Sequence, residues 1–315
     1  MIEIILLFAL VASIFMGVAI GASSVPPAFG PVSSSGASGI LKSALIAGIA
    51  ASLGAFVQGE SVTNTVGSGI ISGEIQLLQA FTILFVAAVL VIVSVTMKYP
   101  MPTAFTVVGA VVGSGFSFGN PVQWGSFSTI LGYWLIIPFL GIGISYSLSK
   151  LIRHFISKEK SKKAIRYMVI VTGTLVAWTA GANSVGLAVG PLSSIGFRMT
   201  SLLILGSVSI LIGAWMFSPK IIDAVSFEYS NVGPRRSAVA LGTAALLAEI
   251  GIIFGIPISF AEAIIASVIG SGLVVGKANI GKKKILVTVG AWIGAFFLSV
   301  FLTYILGLSL QYLLA

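Results

Sequence analysis

The sequence contains no cysteine, which excludes a disulfide framework, thiol catalysis and any Cys-based metal site. It contains a single histidine, His154, so a His-based catalytic or metal cluster is excluded as well. Charge is scarce: only 8% of the 315 residues are Asp, Glu, Lys or Arg, against about 25% in soluble domains. So few charges cannot cover a surface that faces water. Acidic residues are fewest, 8 against 17 basic ones, giving a net charge of +9. The basic residues gather in short loops rather than on one face, which speaks for membrane orientation and against nucleic acid.

What is abundant is apolar sequence. Hydrophobic residues make up 57% of the chain, and the mean hydropathy is +1.13. A hydrocarbon core of ~30 Å takes ~20 apolar residues per helix. Spans are expected near 1–20, 40–58, 77–97, 127–149, 167–182, 200–217, 237–254 and 285–308. Two shorter stretches, 103–115 and 260–275, follow Pro-containing turns and are expected to be partial crossings. The stretch Met1 to Ala22 lacks a basic leader and is read as a first transmembrane helix rather than a cleaved signal.

One segment is strongly polar. Between Lys150 and Arg166 stand Lys150, Arg153, Lys158, Lys160, Lys162, Lys163 and Arg166 against Glu159 alone. It divides the chain into membrane repeat 1 (1–149), a basic linker (150–166) and membrane repeat 2 (167–315), and the linker is expected to be cytoplasmic. The halves are related in sequence. GASSVPPAFGPVSSSG at 21–36 aligns without a gap on GANSVGLAVGPLSSIG at 181–196. Ten of sixteen positions are identical: Gly21/Gly181, Ala22/Ala182, Ser24/Ser184, Val25/Val185, Ala28/Ala188, Gly30/Gly190, Pro31/Pro191, Ser33/Ser193, Ser34/Ser194 and Gly36/Gly196. A second pair, YPMPTAFTVVGAVVGSG at 99–115 and GIPISFAEAIIASVIGSG at 255–272, is anchored by Pro100 and Pro257.

The loop Phe116–Ser126 carries no charge, whereas its counterpart Gly276–Lys284 carries Lys277, Lys282, Lys283 and Lys284. Equivalent loops of opposite bias belong on opposite sides of a membrane, the mark of an inverted-topology repeat. The expected fold is an all-α polytopic membrane protein of two inverted repeats, with broken helices, re-entrant helical hairpins and both termini outside.

Breaks at matching places in two halves point to a binding site. Helix N-termini offer free N–H groups and a positive dipole end, which suit an anion. Pro26 and Pro27 remove two helix hydrogen bonds. Gly21, Gly181, Pro100 and Pro257 are read as further break positions. The alternative for the glycines and serines is ordinary packing between membrane helices. Glu60 and Glu74 flank a polar stretch and are expected to be solvated, while Glu249 and Glu262 fall in apolar surroundings. Glu262, inside a repeated hairpin, is a candidate to take up a coupling proton or bind a cation.

These motifs resemble those of the inorganic phosphate transporter (PiT) family, which includes sulfate permeases. That family carries one copy per half of a motif close to G-A-N-D-V-A-N-A-x-G and of a hairpin motif close to P-V-S-T-T-H. Here they read GASSVPPAFG and GANSVGLAVG, with PMPTAF and PISFAE as the hairpins, and VTNTVGSGI at 62–70 also looks like a family segment. The resemblance implies an anion held between the motif segments and hairpin tips, by Ser23, Ser24, Asn183, Ser184, Thr103 and Ser259, with Glu262 and Asn183 at the coupling ion. Ser24 and Ser184 stand where the family has Asp, and Phe105 and Glu262 where it has the hairpin His.

The resemblance implies a secondary active symporter of phosphate, coupled to a cation or proton. A proton-coupled sulfate permease stays open, because neutral serines suit an anion that carries no proton. A passive anion channel is the alternative of another class, while a membrane enzyme lacks a nucleophile with its base. The expected partners are phosphate or sulfate, a proton or sodium ion and the lipid bilayer; a homodimer stays open. No cofactor, metal or nucleic acid is expected.

Overall fold

In lipid, backbone N–H and C=O groups have no water to bond to, so a spanning segment must satisfy them internally. In the computed structural model, which describes residues 2–96, 102–155, 162–229, 233–275 and 282–314, the apolar runs form helices accordingly. They are α1 (Ile2–Ser24), α2 (Pro26–Ser34), α3 (Ile40–Gln58), α4 (Glu60–Asn64), α5 (Leu77–Thr96), α6 (Thr103–Phe118), α7 (Trp124–Phe155), α8 (Lys162–Ser193), α9 (Met199–Tyr229), α10 (Pro234–Ile253), α11 (Phe260–Leu273) and α12 (Lys282–Leu314). A π-helical turn, Thr65–Gly69, follows α4. Among the described residues, eight stretches are long and apolar enough to cross a membrane, and α6 and α11 are shorter apolar helices, as the sequence predicts. The chain is a multi-pass membrane protein. Pro100 and residues 156–161 of the basic segment lie outside the described residues.

The helices pack through glycine. A Cβ on Gly21 of α1 would lie 2.2 Å from the Ile210 carbonyl oxygen of α9, and one on Gly181 of α8 would lie 1.8 Å from the Ala51 carbonyl oxygen of α3. Gly213 of α9 and Gly54 of α3 abut the Val18 and Trp178 carbonyls in the same way, each at 2.1 Å. Gly113 of α6 meets Val300 of α12, and Gly270 of α11 meets Ile142 of α7, at 2.2 and 2.3 Å. Each approach therefore occurs twice with the halves exchanged. The helix neighbours follow suit: α1 on α5 and α9, α8 on α10 and α3, α6 on α12, α11 on α7. The two halves are interlocked rather than set side by side.

Two expectations change. Gly21 and Gly181 lie inside helices, at these crossings, and not at breaks. The absent side chain serves close approach of two helices. The first motif is interrupted only at Val25, which separates α1 from α2 and puts Pro26 and Pro27 at the start of a new helix, where proline costs least. The second motif has glycine and leucine at those two places and stays helical from Gly181 through Pro191 to Ser193. The basic segment is also shorter as a connection than expected, since α7 continues through Lys150 to Phe155 and α8 begins at Lys162. Arg153 and His154 in the last turn of α7 complement its dipole.

Replacing Gly181 by Leu forces a side chain into the Ala51 backbone. Overpacking of this kind costs about 3 kcal/mol or more, so G181L is expected to lower the thermal unfolding midpoint in detergent sharply. Gly143, beside which a Cβ meets nothing within 4 Å, is the control, and G143A is expected to be neutral or slightly stabilising.

Candidate functional site

The paired segments meet the hairpin helices at two places. In the first, the end of α1 reaches the start of α6: Ser24 Oγ lies 3.4 Å from Thr103 Oγ1, and both residues are buried. Ser23, its neighbour, turns back and donates to the Ile20 carbonyl of its own helix at 3.3 Å. In the second, α8 grips the tip before α11. Asn183 Nδ2 donates to the Ile258 carbonyl at 3.1 Å, and the Ile258 amide donates to Asn183 Oδ1 at 2.9 Å. The side-chain amide of Asn183 is thus matched to the N–H and the C=O of one residue, and holds the two successive peptide groups that flank Ile258. Ser259, the N-cap of α11, accepts from the Glu262 amide at 3.3 Å. Pro257 stands in the non-helical connection between α10 and α11, as a break residue should.

A residue that the motifs do not contain ties the two places together. Trp134 of α7 stacks on Phe105 of α6, with ring centroids 3.8 Å apart and 13° between planes. Its indole Nε1 donates to the Pro257 carbonyl at 2.8 Å. One buried ring therefore touches the first turn of one hairpin helix and the tip of the other. Sequence offers a faint signal for it. Trp134 precedes Ile142 by eight residues and Trp292 precedes Val300 by eight, so the two tryptophans are counterparts in the interlocked halves. Trp292 Nε1 is buried without an acceptor among the described residues, so the halves differ here.

The site's chemistry is that of neutral donors. Ser24, Thr103, Asn183, Ser184, Ser259 and Glu262 are all buried. The Ser184 hydroxyl, wholly buried beside Asn183, has no hydrogen-bond partner among the described residues. Thr103 and Ser259 stand at the starts of α6 and α11, where the first-turn amides have no partner within the helix. Among the described residues, Glu262 is the one buried carboxylate. The other apolar-run carboxylate, Glu249, is half-buried elsewhere and accepts from Gln58 Nε2, while Gln58 Oε1 accepts from Trp178 Nε1 at 2.9 Å. Glu60 and Glu74 are exposed. The π-helical turn within VTNTVGSGI packs on the end of the second motif, where Ser194 Oγ donates to the Gly67 carbonyl at 2.7 Å.

The sequence profile of the phosphate transporter family matches residues 20–303, most of the chain. The chain belongs to the phosphate transporter family. Among the relatives of this transporter is the sulfate permease CysP of Bacillus subtilis (strain 168), 29% identical over 307 residues, which span 95% of this chain and 86% of the permease. A solved structure of a sodium-dependent phosphate transporter has the same fold, with a TM-score of 0.85 at 20% identity, covering 98% of both chains.

The Asn183 clamp makes a specific demand. Leaving a buried peptide group without its partners costs about 1–3 kcal/mol. Asn183→Ala is expected to free the α11 tip and weaken anion-dependent thermal stabilisation about tenfold or more in concentration. Trp134→Phe keeps the stack on Phe105 but loses the bond to Pro257, and is expected to show a milder loss by the same measurement.

Proposed function

We propose that this chain is a secondary active transporter of a small inorganic oxyanion, working by alternating access as a cation- or proton-coupled symporter. The oxyanion is seated between the α1–α6 and α8–α11 junctions, on Ser24, Thr103, Ser184, Ser259 and the first-turn amides of the two hairpin helices. Asn183 supports this seat by holding the tip rather than by offering its amide to the ligand. The interlocked halves support an inverted repeat, in which exchanging the roles of the two halves opens the opposite side of the membrane. The basic segment 150–166 is placed in the cytoplasm and both termini outside on the distribution of charge.

One observation carries the choice of anion: buried, neutral Ser24 and Ser184 occupy both places at which the family motif has Asp. A phosphate ion near neutral pH still holds a proton and can donate it in a hydrogen bond to a carboxylate. Sulfate has none to donate, and a carboxylate repels it. The family's name favours phosphate, whereas these hydroxyls and the likeness to a sulfate permease favour sulfate, and the second is the reading adopted. Neutral serines also remove the carboxylates that would hold a sodium ion, which favours a proton as the coupling ion. A passive channel has no use for a buried carboxylate at the seat, so Glu262 speaks for coupling.

The test is uptake of radiolabelled sulfate and phosphate into proteoliposomes under imposed proton or sodium gradients. Proton-driven sulfate uptake exceeding phosphate uptake is expected; sodium-driven phosphate uptake with no response to protons would overturn the reading. The double variant S24D/S184D is expected to weaken sulfate transport at least tenfold, about 1.4 kcal/mol, and phosphate transport less. Equal losses for both anions would remove the role given to the serines.

A further inference from the structure

Ser259-Phe260-Ala261-Glu262 has the pattern of a capping box, in which the N-cap serine accepts from the third amide of the helix and the glutamate reaches back to the amide of the serine. In this structure only half of the box is closed. Ser259 Oγ accepts from the Glu262 amide, but the Glu262 carboxylate makes no hydrogen bond among the described residues. Its Oε2 is sealed from solvent without a partner, and the residue is 5% exposed. The amides of Ser259, Phe260 and Ala261 take no acceptor among the described residues either. Free donors and a free acceptor therefore stand within one helical turn of each other, in a place where each unpaired group is costly. Glu262 is the third residue of α11, and Cα–Cβ bonds tilt toward the N-terminus of a helix, so its side chain leans toward the turn that carries those amides.

Among the described residues, the helices packed around the carboxylate offer it no cation. Of the helices packed on α11, α7 carries Tyr133, Lys150, Arg153 and His154, and α10 carries Arg235, Arg236 and Glu249. The Tyr133 hydroxyl donates to the Leu247 carbonyl at 2.6 Å. Arg153 donates to the Val274 carbonyl, at the other end of α11 and ~18 Å away at about 1.5 Å per residue. Arg235 and Arg236 begin α10, about four turns from Gly251, which abuts Ile258 at the tip. Glu249 is itself a carboxylate, engaged by Gln58. On α8, which holds the tip through Asn183, Lys162, Lys163 and Arg166 are about five turns away and Tyr167 is exposed.

We propose that Glu262 is a tethered competitor for the transported oxyanion. Deprotonated, its carboxylate closes the box onto the Ser259 amide and fills the positive end of α11 as an anion would. Protonated, it is neutral, leaves those amides and gives the seat to the oxyanion. Binding of one anion then requires one proton on Glu262, and the two cross together. The tip against which this exchange occurs is held still by Asn183 on Ile258 and by Trp134 on Pro257, so the carboxylate moves and the amides do not. A lone carboxylate suffices for a proton, and groups of three or more His, Asp or Glu that could hold a metal ion are absent among the described residues. The proposal rests on the oxyanion reading above and adds the identity and order of the coupling step.

The experiment uses the full chain and sulfate, which brings no proton of its own. In the wild type, sulfate affinity is expected to fall about tenfold per pH unit once Glu262 is deprotonated in the free protein. Glu262→Gln mimics the protonated state. It is expected to bind sulfate with little dependence on pH and to exchange labelled for unlabelled sulfate across proteoliposomes, yet to lose accumulation driven by a proton gradient. If E262Q keeps gradient-driven accumulation and the wild-type pH dependence, the proposal is wrong. Should E262Q not fold, proton uptake by the wild type on sulfate binding, followed with a pH dye in weak buffer, decides: about one proton per sulfate supports the proposal and none refutes it. If the wild type moves phosphate but not sulfate, the choice of anion fails. If it moves neither, the transport reading fails first, and the competitor role falls with it.

Discussion

A peptide amide with no acceptor is tolerable in water and costly in a bilayer, and the architecture follows from where this chain leaves such amides open. The tip before α11 cannot be helical, because Pro257 supplies no donor and Gly255 adopts a positive φ of 68°. Its peptide groups are satisfied from outside instead. Asn183 takes both sides of Ile258, and Trp134 takes the Pro257 carbonyl. What then remains open is the first turn of α11, which presents donors and a positive dipole end to the interior. An oxyanion or a carboxylate satisfies that turn, and the chain carries a carboxylate within reach of it.

The interlocked halves give this local asymmetry its meaning. The crossings at Gly21 and Gly181, at Gly54 and Gly213, and at Gly113 and Gly270 are near copies. The polar contacts at the hairpins are not. Asn183 clamps a tip in the second half, whereas Ser23 in the same place of the first half bonds only to its own helix. Trp134 has its acceptor, whereas Trp292 lacks one. The frame is thus symmetric in packing but uneven in its hydrogen bonds, and in the alternation proposed above a few polar contacts would select one of two arrangements.

Much of this was legible in the sequence. The spans follow from hydropathy, because in lipid length and apolarity leave a segment no choice but the helix. The two shorter helices follow from Pro100 and Pro257 ahead of apolar runs too brief to cross. The duplication is visible in ten shared residues. Less was legible where one residue type serves two ends. Gly21 and Gly181 read as breaks with helix packing as the alternative, and only the Ile210 and Ala51 carbonyls beside them decide for packing. Asn183 read as a ligand, because its amide could face an ion or a peptide. Trp134 was hidden, because a tryptophan in an apolar span carries no sign of what its N–H will meet. The capping box was in plain view as Ser259 and Glu262, but its half-open state is a fact of conformation.

The central claim is that a fully ionised oxyanion sits on neutral donors at the first turn of α11. Selenate has the shape and charge of sulfate, and its selenium scatters anomalously. Crystals of the protein grown with selenate should show an anomalous peak within hydrogen-bonding distance of the Ser259–Ala261 amides and the Ser184 hydroxyl, with the Glu262 carboxyl turned away from them. A peak elsewhere in the membrane region, or one at α11 with the Glu262 carboxylate still on the Ser259 amide, would contradict the account.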